Sequence, residues 1–422
     1  MQLLKNKKIL VGVTGSIAIY KTLELIRLYI KAGANVKVIM TNGAKKFINP
    51  ITFETISQNR VLDDSNEDWS NQTNHNHIAC GKWADLFVLA PVSANTINKL
   101  SNGIADNILT QTALAYSGIK LLSPAANTNM IHNPLTQASL KMLKLCNYKI
   151  ISTQTKELAC KDVGDGAMAD PSDIFHQSCQ ELLKDEYWSD RKVVLNGGGT
   201  IEKIDDVRYI SNFSSGKMAA ALATALYYKG ADVCLITTKD VQVPSGVYTL
   251  DVQNTQEMLE LVEQSIRVAK KGKLSHATLM DKSNVQLIQK KPYFFAVAAV
   301  SDYIVKFPQN GKLKKQDIGQ EWNLQLVQNI DLLASLQKDG IYTIGFKAEL
   351  NKDQGLQNAQ AMLENKNLDA VCLNYIDQTN QFGSDSNSIE LIGKSNSVQK
   401  LSGAKLDVSF ELLQLLKEQF AN

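Results

Sequence analysis

The sequence predicts an α/β protein of two domains, each a mainly parallel sheet flanked by helices. Three observations lead there. Short apolar strand signals alternate with segments of helical periodicity. The opening pattern restarts near residue 190, where KGADVCLITT (Lys229 to Thr238) echoes KAGANVKVIMT (Lys31 to Thr41). The 422 residues also suit two domains at ~100–200 residues each.

The elements follow in order. Ile9 to Val13 reads as a buried strand closing in a glycine turn, after which Ile17, Tyr20, Leu23, Ile26 and Ile30 recur at helical spacing. Gly33 ends that helix, and Val36 to Met40 is the second strand. Leu86 to Ala90 is a third, stopped by Pro91, and Ile119 to Leu122 a further one, stopped by Pro124. From Asp173 the chain reads as a last helix, then a charged linker over Lys184 to Asp190. The expected domains are therefore 1–190 and 191–422. In the second half, Val193 and Val233 mark two strands spaced more widely than those of Ile9 and Val36. The extra residues lie between Gly199 and a helix beginning near Gly216, a polar loop with Glu202, Lys203, Asp205, Asp206, Arg208 and Asn212. Long loops at the carboxyl ends of parallel strands are where α/β folds place binding chemistry. Both domains read as Rossmann-like βαβ units.

Composition excludes several classes. Apolar residues are 44% and charged residues 21%, which argues against disorder. With 45 basic against 42 acidic residues, nothing favours a nucleic-acid or membrane surface. Cys80, Cys146, Cys160, Cys179, Cys234 and Cys372 lie far apart with no CxxC pair, so neither a zinc ribbon nor a disulfide scaffold is indicated. The longest apolar run, Tyr293 to Val300, is too short to span a bilayer. Lys5, Lys7 and Lys8 ahead of Ile9 to Tyr20 imitate a signal peptide, but Gly12, Thr14, Gly15 and Ser16 interrupt it. A cytoplasmic protein is expected.

Four clusters could carry chemistry in the first half. Thr14, Gly15 and Ser16 form a strand-to-helix turn whose N–H groups and hydroxyls suit a phosphate, although a tight structural turn explains them equally. Ser93, Asn95 and Thr96 repeat the arrangement after Pro91, with a helix N-cap as the plainer reading. His77 is a lone histidine before Trp83. Cys160 sits in a glycine-bearing loop beside Lys161. In the second half, Asn212 to Lys217 fails the P-loop pattern at Ser211 and Met218. Lys312, Lys314 and Lys315 form a basic trio, either a solvated face or a set of cations facing phosphoryl charge.

The runs GSIAIYK (Gly15 to Lys21), PVSANT (Pro91 to Thr96), PAANTNM (Pro124 to Met130) and LACKDVGDGAM (Leu158 to Met168) resemble the flavin-containing cysteine decarboxylases. Residues 191–422 resemble phosphopantothenate–cysteine ligases. The runs behind this are NGGGTIEKIDDVRYISNFSSGKM (Asn196 to Met218), AVAAVSDY (Ala296 to Tyr303), KLKK (Lys312 to Lys315), GFKAE (Gly345 to Glu349) and ENKNLDAVCLN (Glu364 to Asn374). The whole chain is thus similar to the fused bacterial coenzyme A biosynthesis enzymes.

That resemblance implies FMN in the first domain, where oxidation at the substrate's cysteinyl thiol side makes loss of the adjacent carboxylate easy. By position, His77 is the active-site histidine, Asn127 contacts the substrate carboxylate, and Cys160 gives the closing proton. Gly15, Ser16, Ile17, Thr41, Ser93, Asn95 and Thr96 line the FMN site. In the second domain CTP activates 4′-phosphopantothenate as an acyl-cytidylate, which the amine of cysteine attacks, with Mg2+ offsetting the triphosphate charge. Ala296, Val297, Ala298, Asp302, Lys312, Ile330, Asp331, Leu332, Leu333, Phe346 and Lys366 match CTP contacts, and Asn212 the acyl-cytidylate step. The resemblance also implies a homo-oligomer, a dodecamer of decarboxylase trimers joined through ligase dimers.

The chain departs from the family at Ala126, Lys161 and Ala167 in the first domain, and at Met362, where a family lysine falls, and GFKAEL in the second. Residues ~265–291 read as an inserted surface loop. Two other readings remain: a non-catalytic flavoprotein, opposed by Cys160 and Asn127, and a nicotinamide-dependent reductase. The latter lacks GxGxxG and an acidic residue where Thr41 and Thr238 end the second strands.

Overall fold

The apolar runs of the first half assemble into one parallel sheet. A computed structural model describes residues 2–70, 75–157, 163–275, 279, 285–314, 316, 319–377, 380–394 and 397–421. It divides into two units, Met1–Leu183 with Ser275–Gln286, and Lys184–Leu274 with Leu287–Asn422. In the first, β1 (Lys8–Val13), β2 (Asn35–Met40), β3 (Leu86–Val92), β4 (Lys120–Pro124) and β5 (Tyr148–Ile150) lie in the order β2-β1-β3-β4-β5. All neighbours are parallel. Every residue of β3 is buried, as expected for a central strand covered on both faces.

The helices are α1 (Ile19–Lys31), α2 (Pro50–Ser57), α3 (His77–Trp83), α4 (Ala94–Ser101), α5 (Ile108–Ala115), α6 (Thr128–His132), α7 (Pro134–Leu145) and α8 (Pro171–Leu183). A hairpin of β6 (Gln154–Glu157) and β7 (Val163–Ala167) precedes α8.

Neither proline stops its strand: β4 includes Pro124, and the third strand runs on through Pro91 to Val92 with a register shift against β4 between Leu89 and Val92. A proline without an N–H fits such an irregular site, and the Pro91 carbonyl accepts from Thr14 N at 3.2 Å. Helix α1 forms, but its buried face is Ile19, Thr22, Leu25, Ile26 and Tyr29, while Ile17, Tyr20 and Ile30 are exposed. Tyr29 fixes this rotation by bonding Ser178 of α8 at 2.6 Å.

The second unit contains β8 (Lys192–Gly197), the hairpin β9 (Ile201–Lys203) and β10 (Tyr209–Ser211), α9 (Lys217–Tyr228), β11 (Asp232–Thr237), β12 (Tyr248–Asp251) and α10 (Thr255–Ala269). The short pairs β13 (Lys273–Leu274) with β14 (Leu287–Ile288) and β16 (Tyr303–Val305) with β17 (Leu326–Gln328) flank β15 (Tyr293–Ala296). Then come β18 (Tyr342–Glu349), β19 (Ala370–Tyr375), β20 (Ser386–Gly393) and β21 (Val398–Ala404). Eight strands form one sheet, β12-β11-β8-β15-β18-β19-β20-β21, parallel from β12 to β19 and antiparallel beyond. Helices Leu332–Ser335, Lys352–Asn365 and Lys405–Phe420 complete the unit.

The charged linker Lys184 to Asp190 packs into the second unit through Trp188, which is 1% exposed with its ring 4.9 Å from Tyr293. The segment ~265–291, expected as a surface loop, begins and ends in regular structure. Ile266 and Ala269 are buried on α10, and Lys273–Leu274 pairs with Leu287–Ile288.

Candidate active sites

Strand order fixes where a ligand can lie. In the 2-1-3-4-5 order of the first sheet, connections leave β1 and β3 in opposite directions, opening a crevice at their carboxyl ends. The turns after β1 and β3 meet there. Thr14 Oγ1 donates to the Pro91 carbonyl at 3.0 Å and accepts from Ser93 N at 2.9 Å. Thr41, after β2, donates its N–H to Val13 O at 3.2 Å. A Cβ on Gly15 would come 3.1 Å from the Gly43 carbonyl carbon, so the β1 and β2 turns touch backbone to backbone. Ser93 caps α4 by accepting from Thr96 N, and the two hydroxyls lie 3.2 Å apart. The N-cap reading of Ser93 therefore holds, and the cap stands at the crevice. Asn95 is exposed and Thr96 buried. The strand ends thus bring Gly15, Ser16, Ile17, Thr41, Ser93, Asn95 and Thr96 to one edge.

Asn127 follows β4 at the same edge and caps α6 by accepting from Asn129 N at 2.9 Å. The β6–β7 hairpin docks beside it. Ala126 N donates to Gly166 O at 3.1 Å, and a Cβ on Gly166 would lie 1.9 Å from Ala126 O. His132 Nε2 meets Asp165 at 2.8 Å. Cys160 and Lys161, between the hairpin arms in sequence, lie outside the described residues. His77 opens α3. Its Nδ1 lies 2.7 Å from Glu67 Oε1, its backbone N 3.3 Å from the same oxygen, and Trp69 presses edge-on to the ring at 5.3 Å. With the Nδ1 proton donated to Glu67, Nε2 is the nitrogen left for chemistry.

These residues fit FMN. The donors are uncharged hydroxyls, an amide and helix N–H groups, which suit a phosphate. Ser123 Oγ, fully buried at the end of β4, has no hydrogen-bond partner in the protein.

In the second sheet β12-β11-β8-β15-β18-β19 is the 3-2-1-4-5-6 order of a dinucleotide-binding fold, with its crevice between β8 and β15. A cavity of about 550 Å³ opens there. Its lining includes Asn212, Ala296, Ala298, Asp302, Ile330, Asp331, Leu332, Leu333, Phe346 and Lys366. Asn196 ties the two strands by accepting from Val297 N at 2.8 Å and Ala298 N at 3.0 Å. Asn212 reaches the rim because the long loop folds back: its carbonyl abuts Gly199, where a Cβ would sit 2.5 Å away, and its amide donates to Val300 O at 3.0 Å. Burial alone would raise the Asp331 pKa, but Lys366 at 2.8 Å and the Ala334 N–H hold it below the usual carboxylate range.

Val297 lines a second, adjoining cavity with Gly198, Ser214, Ser215 and Gly216. Lys312 lines neither. It is exposed on a segment pinned to the β9–β10 turn, where Gly311 N donates to Asp206 and Leu313 N to Asp205. Lys315 lies outside the described residues. Of the polar loop residues, Glu202 accepts from Thr255 N and Oγ1 and so ties the loop to α10, and Asp205 accepts from Val207 and Arg208 N and so shapes the loop's own turn.

Sequence reasoning missed Asn196, Asn329, Ser301 and Lys347. Asn329 donates to Ser301 O at 2.7 Å, and Ser301 Oγ is buried without a partner. Two signals were available: Asn196, a polar residue directly after the apolar run Val193 to Leu195, and the lysine of the departing GFKAEL run. Met362 lines the cavity with no charge, its Cε reaching Gly345.

Comparisons with known proteins agree with this division. The Flavoprotein family model matches residues 1–183, and the DNA/pantothenate metabolism flavoprotein C-terminal domain model matches 188–271 and 268–420. The chain is 35% identical to the coenzyme A biosynthesis bifunctional protein CoaBC of Vibrio parahaemolyticus, over 99% of this chain and 100% of that one. It is 34% identical to the Bacillus subtilis protein of the same name, over 98% of this chain and 97% of that one. The chain belongs to the CoaBC family. Among solved structures, it is similar to a PPC decarboxylase mutant complexed with pantothenoylaminoethenethiol, at 31% identity over 41% of this chain and 97% of that one, TM-score 0.38. It is also similar to the C-terminal domain of a CoaBC protein, at 26% identity over 56% of this chain and 99% of that one, TM-score 0.42. Membership of the CoaBC family makes this chain an enzyme with a decarboxylase and a ligase half.

Proposed function

We propose that the two sites act in sequence: the second unit joins 4′-phosphopantothenate to cysteine using CTP, and the first decarboxylates the phosphopantothenoylcysteine formed to 4′-phosphopantetheine using FMN. The observation that carries the ligase reading is the cavity between β8 and β15, where Asn212, Asp302, Asp331 and Lys366 converge. A carboxylate oxygen of phosphopantothenate attacks the α-phosphorus of CTP, and pyrophosphate leaves with the electrons of the broken P–O bond. The cysteine amine then attacks the acyl carbon, CMP departs, and the amine loses a proton. Lys366 and Lys312 neutralise phosphoryl charge, Phe346 and residues 296–298 hold the nucleotide, and Asn212 orients the acyl group.

In the first unit, FMN when bound supplies two-electron oxidation and reduction. Asn127 holds the substrate carboxylate, His77 acts through Nε2 with Nδ1 fixed by Glu67, and Cys160 Sγ delivers the last proton. Mg2+ enters with CTP, as the triphosphate's counter-ion. The reading includes a cytoplasmic homo-oligomer, a dodecamer of decarboxylase trimers and ligase dimers. Among the described residues no helix is long and apolar enough to cross a membrane. The exposed Leu114 and Leu135 of the first unit suit an assembly contact, which light scattering tests.

Mass spectrometry of the products from 4′-phosphopantothenate, cysteine and CTP tests the whole reading. Omitting CTP must stop the amide, and Cys160→Ser must stop phosphopantetheine while the amide still forms. Amide formation without CTP overturns the nucleotide assignment.

A further inference from the structure

We propose that Lys347 is a substrate-binding cation for the ligase reaction, placed where the nucleotide and the acid meet. The inference rests on the ligase reading above and adds a residue to it. Lys347 stands near the carboxyl end of β18, in the middle of the eight-stranded sheet. It lines both the 550 Å³ cavity and the adjoining one, which share Ala298, Ala299, Phe346, Lys347 and Ala348 as a common wall. The two cavities are therefore halves of one cleft, with Lys347 at their junction.

The far half is bounded by Ser214, Ser215 and Gly216 at the start of α9, and the near half by Asp302, Asp331 and Lys366. Of the two lysines on the near half, Lys366 is already paired with Asp331 at 2.8 Å. Lys347 has a looser partner in Glu349 at 3.3 Å and keeps 31% of its side chain accessible. Glu349 lines neither cavity and also accepts from Asn358 at 2.9 Å.

The bond made in the first half-reaction joins an acid carboxylate to the α-phosphorus of a nucleotide. Both approaching groups are anionic, so a cation at the junction opposes their repulsion and meets the charge that spreads over the α-phosphoryl oxygens. Glu349 parks the ammonium between turnovers and releases it towards the stronger anion.

The experiment uses the full chain with FMN, 4′-phosphopantothenate and labelled CTP, quenched and scored for acyl-cytidylate. Lys347→Met is expected to slow acyl-cytidylate formation by ~10²-fold, and Lys347→Arg to recover much of it. Glu349→Gln removes only the resting partner and should retain the rate. FMN absorbance and decarboxylation of supplied phosphopantothenoylcysteine report that each variant is folded. Wild-type rates in Lys347→Met overturn the assignment. Equal losses in Lys347→Met and Glu349→Gln also overturn it, because a purely structural ion pair fails from either side. A wild-type chain that makes no acyl-cytidylate from CTP sinks the ligase reading itself, a result distinct from either.

Discussion

The turn after β1 and the turn after β8 begin alike and end differently. Each follows the first strand of a parallel sheet and leads to a helix at the sheet's crevice. The first is short and closes on its neighbours through backbone: Thr14 bonds the β3 turn and Gly15 meets Gly43. The second is long enough to hold the β9–β10 hairpin and becomes one rim of an open cleft. The side chains differ accordingly. Every residue assigned to the FMN cradle is uncharged, whereas the cleft carries Asp302, Asp331, Lys347 and Lys366. A cradle of backbone and hydroxyls suits a group held through many turnovers. A cleft with paired, exchangeable charges suits a substrate that arrives with four negative charges and leaves in pieces.

The largest expected effect attacks the backbone contact. Gly15→Val puts a branched side chain against Gly43, whose carbonyl carbon lies 3.1 Å from a Cβ at that position. The purified variant should be colourless and unable to decarboxylate, while still making the amide from CTP. Retained flavin absorbance would show that the two turns can part, and would weaken the contrast between cradle and cleft.

Next comes the charge on the cleft side. Lys312→Gln should lower ligase turnover by ~10²–10³ if its ammonium meets phosphoryl oxygens beyond the cavity rim. Decarboxylation of supplied phosphopantothenoylcysteine should be unchanged. An amide rate equal to wild type would return Lys312 to a solvated face, leaving Lys366 and Lys347 as the cations of the site.

A smaller effect probes the carboxylate bonded to His77. Glu67→Gln replaces the acceptor at 2.7 Å from His77 Nδ1. Decarboxylation should fall roughly 10-fold, worth ~1.4 kcal/mol in the barrier, with Glu67→Asp recovering part of it. Nitrogen NMR of the imidazole should show the Nδ1-protonated form weakened in the variant. Unchanged tautomer signals with unchanged rate would make Glu67 a surface partner only.

The contrast between turns was partly legible in the sequence. The strands were, because central parallel strands are uninterrupted apolar runs such as Leu86 to Ala90. The extra length after Gly199 was visible too, but not its use, since a hairpin depends on what Glu202 and Asp205 bond at a distance. The rotation of α1 was misread because its apolar residues exceed one face, and the inward face is marked by polar bonds at a distance, Thr22 to Ala90 O and Tyr29 to Ser178. Lys347 showed only as the lysine of the departing GFKAEL run, with no role attached. Its meaning comes from standing on a wall shared by two cavities, and that wall is made by chain segments far apart in sequence.

The smallest effect concerns how the first unit tolerates charge away from its site. Lys120 opens β4, is 8% exposed, and faces the rings of Tyr116 at 5.3 Å and Tyr148 at 4.9 Å. Burial lowers its pKa from 10.5. Between that lowered value and 10.5 the unfolded chain binds more protons than the folded one, so stability rises as pH climbs through this window. At neutral pH the folded unit therefore carries the cost of a desolvated ammonium, offset in part by the two aromatic faces. Lys120→Met keeps the length and removes the charge. It should flatten the rise of melting temperature with pH and lift the neutral-pH value by about 2 °C, as under ~1 kcal/mol would for a unit of this size. The transition to follow is the one that releases FMN, since it reports the first unit alone. A variant that melts lower at neutral pH, with the same pH slope as wild type, would show that the aromatic faces outweigh the desolvation and that this unit, like the cleft, makes favourable use of a cation.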